Sequence, residues 1–128
     1  MSRVNFTSIC LLSLALAGCA GADNALVSLE AELGLAIARF ENADANFGPA
    51  TNYDELIANG HWLDRMGEEI LKIERIEDRA ILLGADPNPE IRKAVVSRFR
   101  RRLASLQSDA EYLNAMSSLE IAKIWLEM

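Results

Sequence analysis

The chain of 128 residues predicts an all-α fold, a small antiparallel bundle of about four main helices that follows a cleaved N-terminal signal. Apolar residues recur at three- and four-residue steps through most of the chain, which is the period of a helix with one buried face. No segment alternates apolar and polar residues as a strand would. Turn residues gather at Asn46-Phe47-Gly48-Pro49 and at Gly84-Ala85-Asp86-Pro87-Asn88-Pro89, where they divide the pattern.

The first helix is expected from a cap at Asp23 or Asn24 to about Asp44, with Leu26, Leu29, Leu33, Ile37 and Phe40 on its inner face. Val27, Ala31, Leu35 and Ala38 give it a second, smaller apolar face. Asn52-x-x-Glu55 reads as a relative of the capping box and opens a short helix, Tyr53 to Ala58, which Asn59-Gly60 closes. A long helix follows from about His61 to Leu83, inward through Leu63, Met66, Ile70, Ile73, Ala80 and Ile81. Gly67 costs it about 1 kcal/mol relative to Ala unless a neighbour packs closely there. Gly84 suits the exit, Asn88 the next cap and Pro89 the first helical position. The fourth helix runs to about Leu106 with Ile91, Val95, Phe99, Leu103 and Leu106 inward. Ser108-x-x-Glu111 then starts a last helix that packs through Tyr112, Met116, Leu119 and Leu126. The turn Asp86-Pro87-Asn88-Pro89 with Glu90 to Val95 resembles the inter-helix turn of HEAT-type repeats, but one copy does not make a solenoid.

Ahead of these helices stand the three parts of a secretory signal. Arg3 supplies a positive charge, Ile9 to Ala17 an apolar run of nine residues, and small residues the exit. That run is too short to span a bilayer, which takes about 20 apolar residues. Its exit, Leu16-Ala17-Gly18-Cys19, resembles the lipobox of bacterial lipoproteins. The resemblance implies a diacylglyceryl group on the Cys19 thiol and cleavage before Cys19. Residues 1–18 are then signal peptide, 19–22 a short tether and 23–128 one helical domain. Two or more acyl chains hold a protein stably on a membrane where one does not. Ala20 stands where an Asp would mark inner-membrane retention. In a Gram-negative cell this implies the outer membrane, facing the periplasm.

Cutting before Cys19 leaves 110 residues, one small domain, with Cys19 lipidated and no disulfide available to it. Net charge is −6 for the whole chain and −7 once Arg3 is lost, which argues against nucleic-acid binding. The charge is uneven. Residues 23–86 carry five bases against fourteen acids, residues 87–108 six against one, and residues 109–128 one against four. The basic cluster Arg98, Arg100, Arg101 and Arg102 spreads around three sides of its helix, so it reads first as pairing with the acidic helices. Its sharper reading is a dock for an acidic partner or lipid head groups.

His61 is the only histidine, with Asp64 three residues on, and Asp64 and Glu68 share a helix edge. Neither pair is joined by a mature free Cys, a second His or a Gly-x-Ser-x-Gly turn, so the expectation is no enzyme and no cofactor or metal. Glu77 falls on the inner face of its helix where an apolar residue belongs, and Arg92 falls inside the apolar arc of the next. Folding at the Asp86–Pro89 turn predicts an ion pair between them that sets how the hairpin packs; a ligand pocket lined by Glu77 is the other reading. Ile121, Ile124, Trp125 and Met128 lie outside the face assigned to the last helix, making its end apolar nearly all round. They are the candidate partner-binding residues, since an exposed Trp is a common anchor at interfaces. The functional expectation is a membrane-anchored periplasmic interaction protein, an escort, adaptor or scaffold for another envelope protein. Pilotin lipoproteins of secretion systems offer an analogy of size, anchor and fold class alone. The alternative is an immunity or inhibitor protein that blocks a basic toxin or hydrolase.

Overall fold

The computed structural model describes Thr7–Ser8 and residues 19–127, with side chains described from residue 23 onward. Within them the architecture is all-α: α1 (Cys19–Asn46), α2 (Tyr53–Leu82) and α3 (Pro89–Glu127). Thr7 and Ser8 make a two-residue antiparallel pairing with Asp86 and Ala85. They belong to the segment expected to be removed, so the packing below is that of α1 to α3. No helix among the described residues is long and apolar enough to cross a membrane.

Three long helices replace the expected four and their short companion. α1 begins at Cys19, so Asp23 and Asn24 lie inside it and do not cap it, and residues 19–22 are helical where a tether was expected. The short helix at Tyr53 joins the long one without a break at Asn59-Gly60. The reason lies in the Asn59 side chain. It is buried, donates through Nδ2 to Gly48 O at 2.6 Å and accepts at Oδ1 from Gly48 N at 3.2 Å. Asn59 therefore clamps the α1–α2 loop, and its amide does not compete with the helix around it. Ser108-x-x-Glu111 does not start a helix either, because α3 runs straight through it. Gln107, Ser108 and Asp109 are only mildly unfavourable inside a helix. Asp109 Oδ2 accepts from Ala50 N at 3.3 Å, and Leu113 is buried, so tertiary contacts hold the rod together.

The true helix ends carry the expected chemistry. Asn52 Oδ1 accepts from Glu55 N at 2.8 Å, while Glu55 Oε1 accepts from Asn52 Nδ2 at 2.7 Å. At the other end of α2, Gly84 takes a φ of 87°, a left-handed exit that glycine adopts without strain. Asn88 Oδ1 then accepts from Glu90 N at 3.0 Å and opens α3 at Pro89.

The core lies mainly between α1 and α2. Leu26, Leu29, Leu33, Ala36, Phe40, Ala43 and Phe47 face Leu63, Met66, Ile70, Ile73, Ile76 and Ala80. α3 adds buried Val95, with Ile91, Phe99, Leu103 and Leu106 half-buried over the same core. Residues 77 and 92, 67 and 99, and 53 and 114 meet across α2 and α3, so these helices pass each other in opposite chain directions. Ile81 is exposed, as are Val27 and Leu35 of the second face of α1.

At Gly67 an added Cβ would meet Phe99 Cε2 at 3.5 Å, an ordinary contact that leaves room for a methyl group. Gly67→Ala should therefore stabilise the protein by about 0.5–1 kcal/mol through helix propensity. Urea unfolding measures this, and a lower midpoint would show that the Phe99 ring cannot give way.

Candidate functional site

Four regions hold the residues that sequence patterns single out: the α2–α3 turn, the middle of α3, a cleft between α1 and α2, and the C-terminal end of α3. At the turn, Arg92 Nε donates to Glu77 Oε1 at 3.2 Å, and Arg92 Nη2 donates to Glu74 O at 3.4 Å. Asp78 Oδ1 stands 3.7 Å from the same Nη2. Glu77 is 4% exposed, and burial pushes its carboxyl above the ordinary value of 4.5. The hydrogen bond and charge of Arg92 oppose that rise, while Asp78 and Glu74 add to it. The pair borders a cleft of about 600 Å³ whose other walls include Ile81, Ala85, Pro87 and Val96. A buried carboxyl is thus held by one half-exposed guanidinium across the α2–α3 turn.

In the middle of α3 the basic cluster divides. Arg102 Nε donates to Asp44 Oδ1 at 2.6 Å, its Nη2 donates to Asp44 O at 3.2 Å, and its guanidinium lies 5.1 Å from the centre of the Phe47 ring. Arg98 Nη1 approaches Asp44 Oδ2 at 3.8 Å. A cation there also meets the negative end of the α1 dipole. Arg98 and Arg102 thus fasten α3 to the C-terminal turn of α1, whereas Arg100 and Arg101 face solvent. Asp44 carries no sequence signal beyond being one of many acids. Only the fold assigns it this partner.

His61 and Asp64 are exposed and line a polar cleft of about 690 Å³ between α1 and α2, together with Arg39, Arg65, Glu68 and Lys72. Glu69 reaches into the same cleft, accepting from Lys72 Nζ at 3.1 Å. Acids and bases alternate around it. Among the described residues no three His, Cys, Asp or Glu side chains gather as a metal site would require.

The C-terminal end differs most from the expected arrangement. Tyr112, Met116, Leu119 and Leu126, assigned inward from the sequence, are all exposed, and Leu113 is buried in their place. A separate helix could have taken any rotational phase. Because α3 is one rod, its phase is inherited from Val95 and Phe99, and that seam passes through Leu106, Leu113 and Ser117. Continued by the helical repeat it arrives at Ile124, with Ile121 on one side of it and Glu120 on the other, and with Trp125 further round beyond Ile121. The cover stops before them. α1 ends at Asn46 and α2 begins at Tyr53, whose hydroxyl bonds Asn114 Oδ1 and Ser117 Oγ, both at 3.1 Å. Residues 118–127 therefore extend α3 about 15 Å past the core. Ile121, Ile124 and Trp125 are 56%, 59% and 70% exposed. Met128 lies outside the described residues, as do the signal residues other than Thr7 and Ser8 and the side chain of Cys19.

Cys19 and this overhang sit at opposite ends of the molecule. Ala25, Ser28 and Leu29 border the same cleft as Arg79, Leu82 and Leu83, which puts the start of α1 beside the α2–α3 turn. α3 leaves that turn and carries its apolar tip away over 39 residues, about 58 Å of helix. No protein-family model, curated protein or solved structure matches this chain.

Two outcomes follow for the polar ties. Arg102→Ala should cost about 1–3 kcal/mol, since it strips a half-buried carboxylate of a charge-assisted bond, while Arg101→Ala should stay within about 0.5 kcal/mol. Equal effects in chemical denaturation would remove Asp44 from its role. For Glu77, a pKa raised by folding means the folded state binds the proton more tightly than the unfolded one. The stability so contributed is complete below pH 4.5, the ordinary value, and is lost as pH rises through the raised one. Glu77→Gln should flatten that part of the profile of urea midpoint against pH, and an unchanged slope would contradict the assignment.

Proposed function

We propose that this is a lipid-anchored interaction protein of the cell envelope, an escort, adaptor or scaffold with no catalytic role of its own. It is held by lipid on Cys19 and engages a protein partner through the end of α3. The arrangement is three helices packed as an antiparallel bundle, with the anchor at one end and the binding tip at the other. In a Gram-negative cell the anchor lies in the outer membrane and the tip reaches into the periplasm.

One observation carries the reading: α3 continues ten residues beyond any cover among the described residues, leaving Ile121, Ile124 and Trp125 exposed. Leaving large apolar side chains in water forgoes about 25 cal/mol per Å² of burial, and exposed patches of this kind mark interaction sites. A helix laid along the open seam would recover it. The second reading, an immunity or inhibitor protein for a basic toxin or hydrolase, draws on the surplus of acid. With Arg98 and Arg102 engaged by Asp44, the outer surface is left more acidic than the residue count suggests.

The test is capture from gently solubilised envelopes with the tagged, lipidated chain, at low and high salt. A membrane or secretion component retained at high salt, and lost when the chain is cut after Ser117, supports the escort. The cut spares the core, so circular dichroism should show the fold intact. Release of a basic soluble protein by salt would favour the inhibitor instead. Recovery that is unchanged by the cut would sink the proposed surface.

A further inference from the structure

Resting on the interaction reading above, we propose that the partner of the α3 overhang is a basic amphipathic helix, which docks end to end with α2 along the open seam. The shape of the site asks for a helix. Up to Ser117 the seam is covered by α2, a helix running opposite to α3, and beyond Tyr53 that cover simply stops. A helix in line with α2 continues an interface already present in the fold, meeting Ile121 and Ile124 as α2 meets Phe99.

The charge around the seam selects among helices. By the helical repeat, Glu120 and Glu127 lie on one side of Ile124, and Ile121 and then Trp125 on the other; Lys123, three residues from Glu120 and four from Glu127, stands on the outer side of the acids, so the edge they form keeps a net negative charge. A partner helix would thus place its flanking residues against carboxylates. Lys or Arg there gains attraction, and Glu or Asp meets repulsion of the kind that excludes wrong partners. The same charges disfavour the other occupants. A second copy would bring its own Glu120 and Glu127 to the seam, with a mature net charge of −7 on each chain. An anionic membrane surface would meet acids at the rim of the apolar stripe, where interfacial helices carry Lys and Arg.

The division of labour is physical. Apolar contact with Ile121, Ile124 and Trp125 supplies the hold, which salt leaves in place, and the acidic rim supplies selectivity, which salt screens.

The test uses the lipidated mature chain in zwitterionic nanodiscs, with empty nanodiscs subtracted. Trp62→Phe leaves Trp125 as the one tryptophan reporter of the two in the chain. Three synthetic 18-residue peptides serve as probes: Leu at three- and four-residue steps with Lys elsewhere, the same with Glu for Lys, and the Lys peptide with its leucines scrambled. The Lys amphipathic peptide should blue-shift Trp125 emission and bind at least tenfold more tightly than either control. The double variant E120K/E127K should reverse the preference towards the Glu peptide, and I121E/I124E should abolish binding of both with the helix content unchanged. Equal binding of the Lys and Glu peptides would overturn the basic partner. So would self-association of the free chain that Ile124→Glu disperses. Neither outcome touches the envelope capture above, which by itself decides whether the tip binds a protein at all.

Discussion

Everything in this molecule depends on the contact between α1 and α2 at Leu33, Phe40, Met66 and Ile73, the four largest side chains with no access to water. With lipid expected on Cys19, the mature chain has no disulfide to constrain it, so this packing carries the fold. Burial of such side chains stabilises by about 1.5–3 kcal/mol each. α3 has less of its own to contribute. Val95 and Leu113 are its only buried side chains among those described, and most of its apolar contacts are half-exposed. It lies on a platform that α1 and α2 make between them.

A helix held by half-buried contacts needs something to stop it sliding or rolling, and polar ties at three heights do that. Arg92 to Glu77 secures the turn end, Arg102 to Asp44 the middle, and Tyr53 to Asn114 and Ser117 the far end. They are of different kinds. The first holds a carboxyl whose burial raises its pKa, the second joins a cation to the C-terminal turn of another helix, and the third is neutral and exposed. Ion pairs specify one arrangement more reliably than they add to stability. Here the arrangement they specify is the rotation of α3, and rotation decides which side chains its last ten residues offer.

The proposed function follows from a mismatch of lengths. α1 has 28 residues, α2 has 30 and α3 has 39, so one helix outruns its support. At one end the chain has its proposed lipid, and at the other an apolar stripe with an acidic rim. A tether of this form would keep the tip clear of its own membrane by the length of the rod. Its partner would then be met from the far side, where geometry limits contact to what α3 can present.

The amino-acid sequence by itself determined the helical class, the apolar faces of α1 and α2, the Asn52–Glu55 cap and the Gly84 to Pro89 turn. These are local matters: a three- and four-residue period, a side chain bonding its own neighbourhood, a glycine at positive φ. Sequence also brought Glu77 and Arg92 under suspicion, because a charge inside an apolar arc is visible without a structure. Only the tertiary structure decided that Asn59-Gly60 and Ser108 to Glu111 lie within helices, since Gly48, in the loop before α2, and Ala50, far along the chain from Asp109, supply the bonds that settle the matter. It alone gave Asp44 its arginines. It also reversed the faces of the last stretch, exposing Tyr112 and Leu119 and burying Leu113. A break read into Ser108 frees the next helix to turn as it likes; a continuous rod does not allow that, because each residue's direction is inherited from the core 100° at a time.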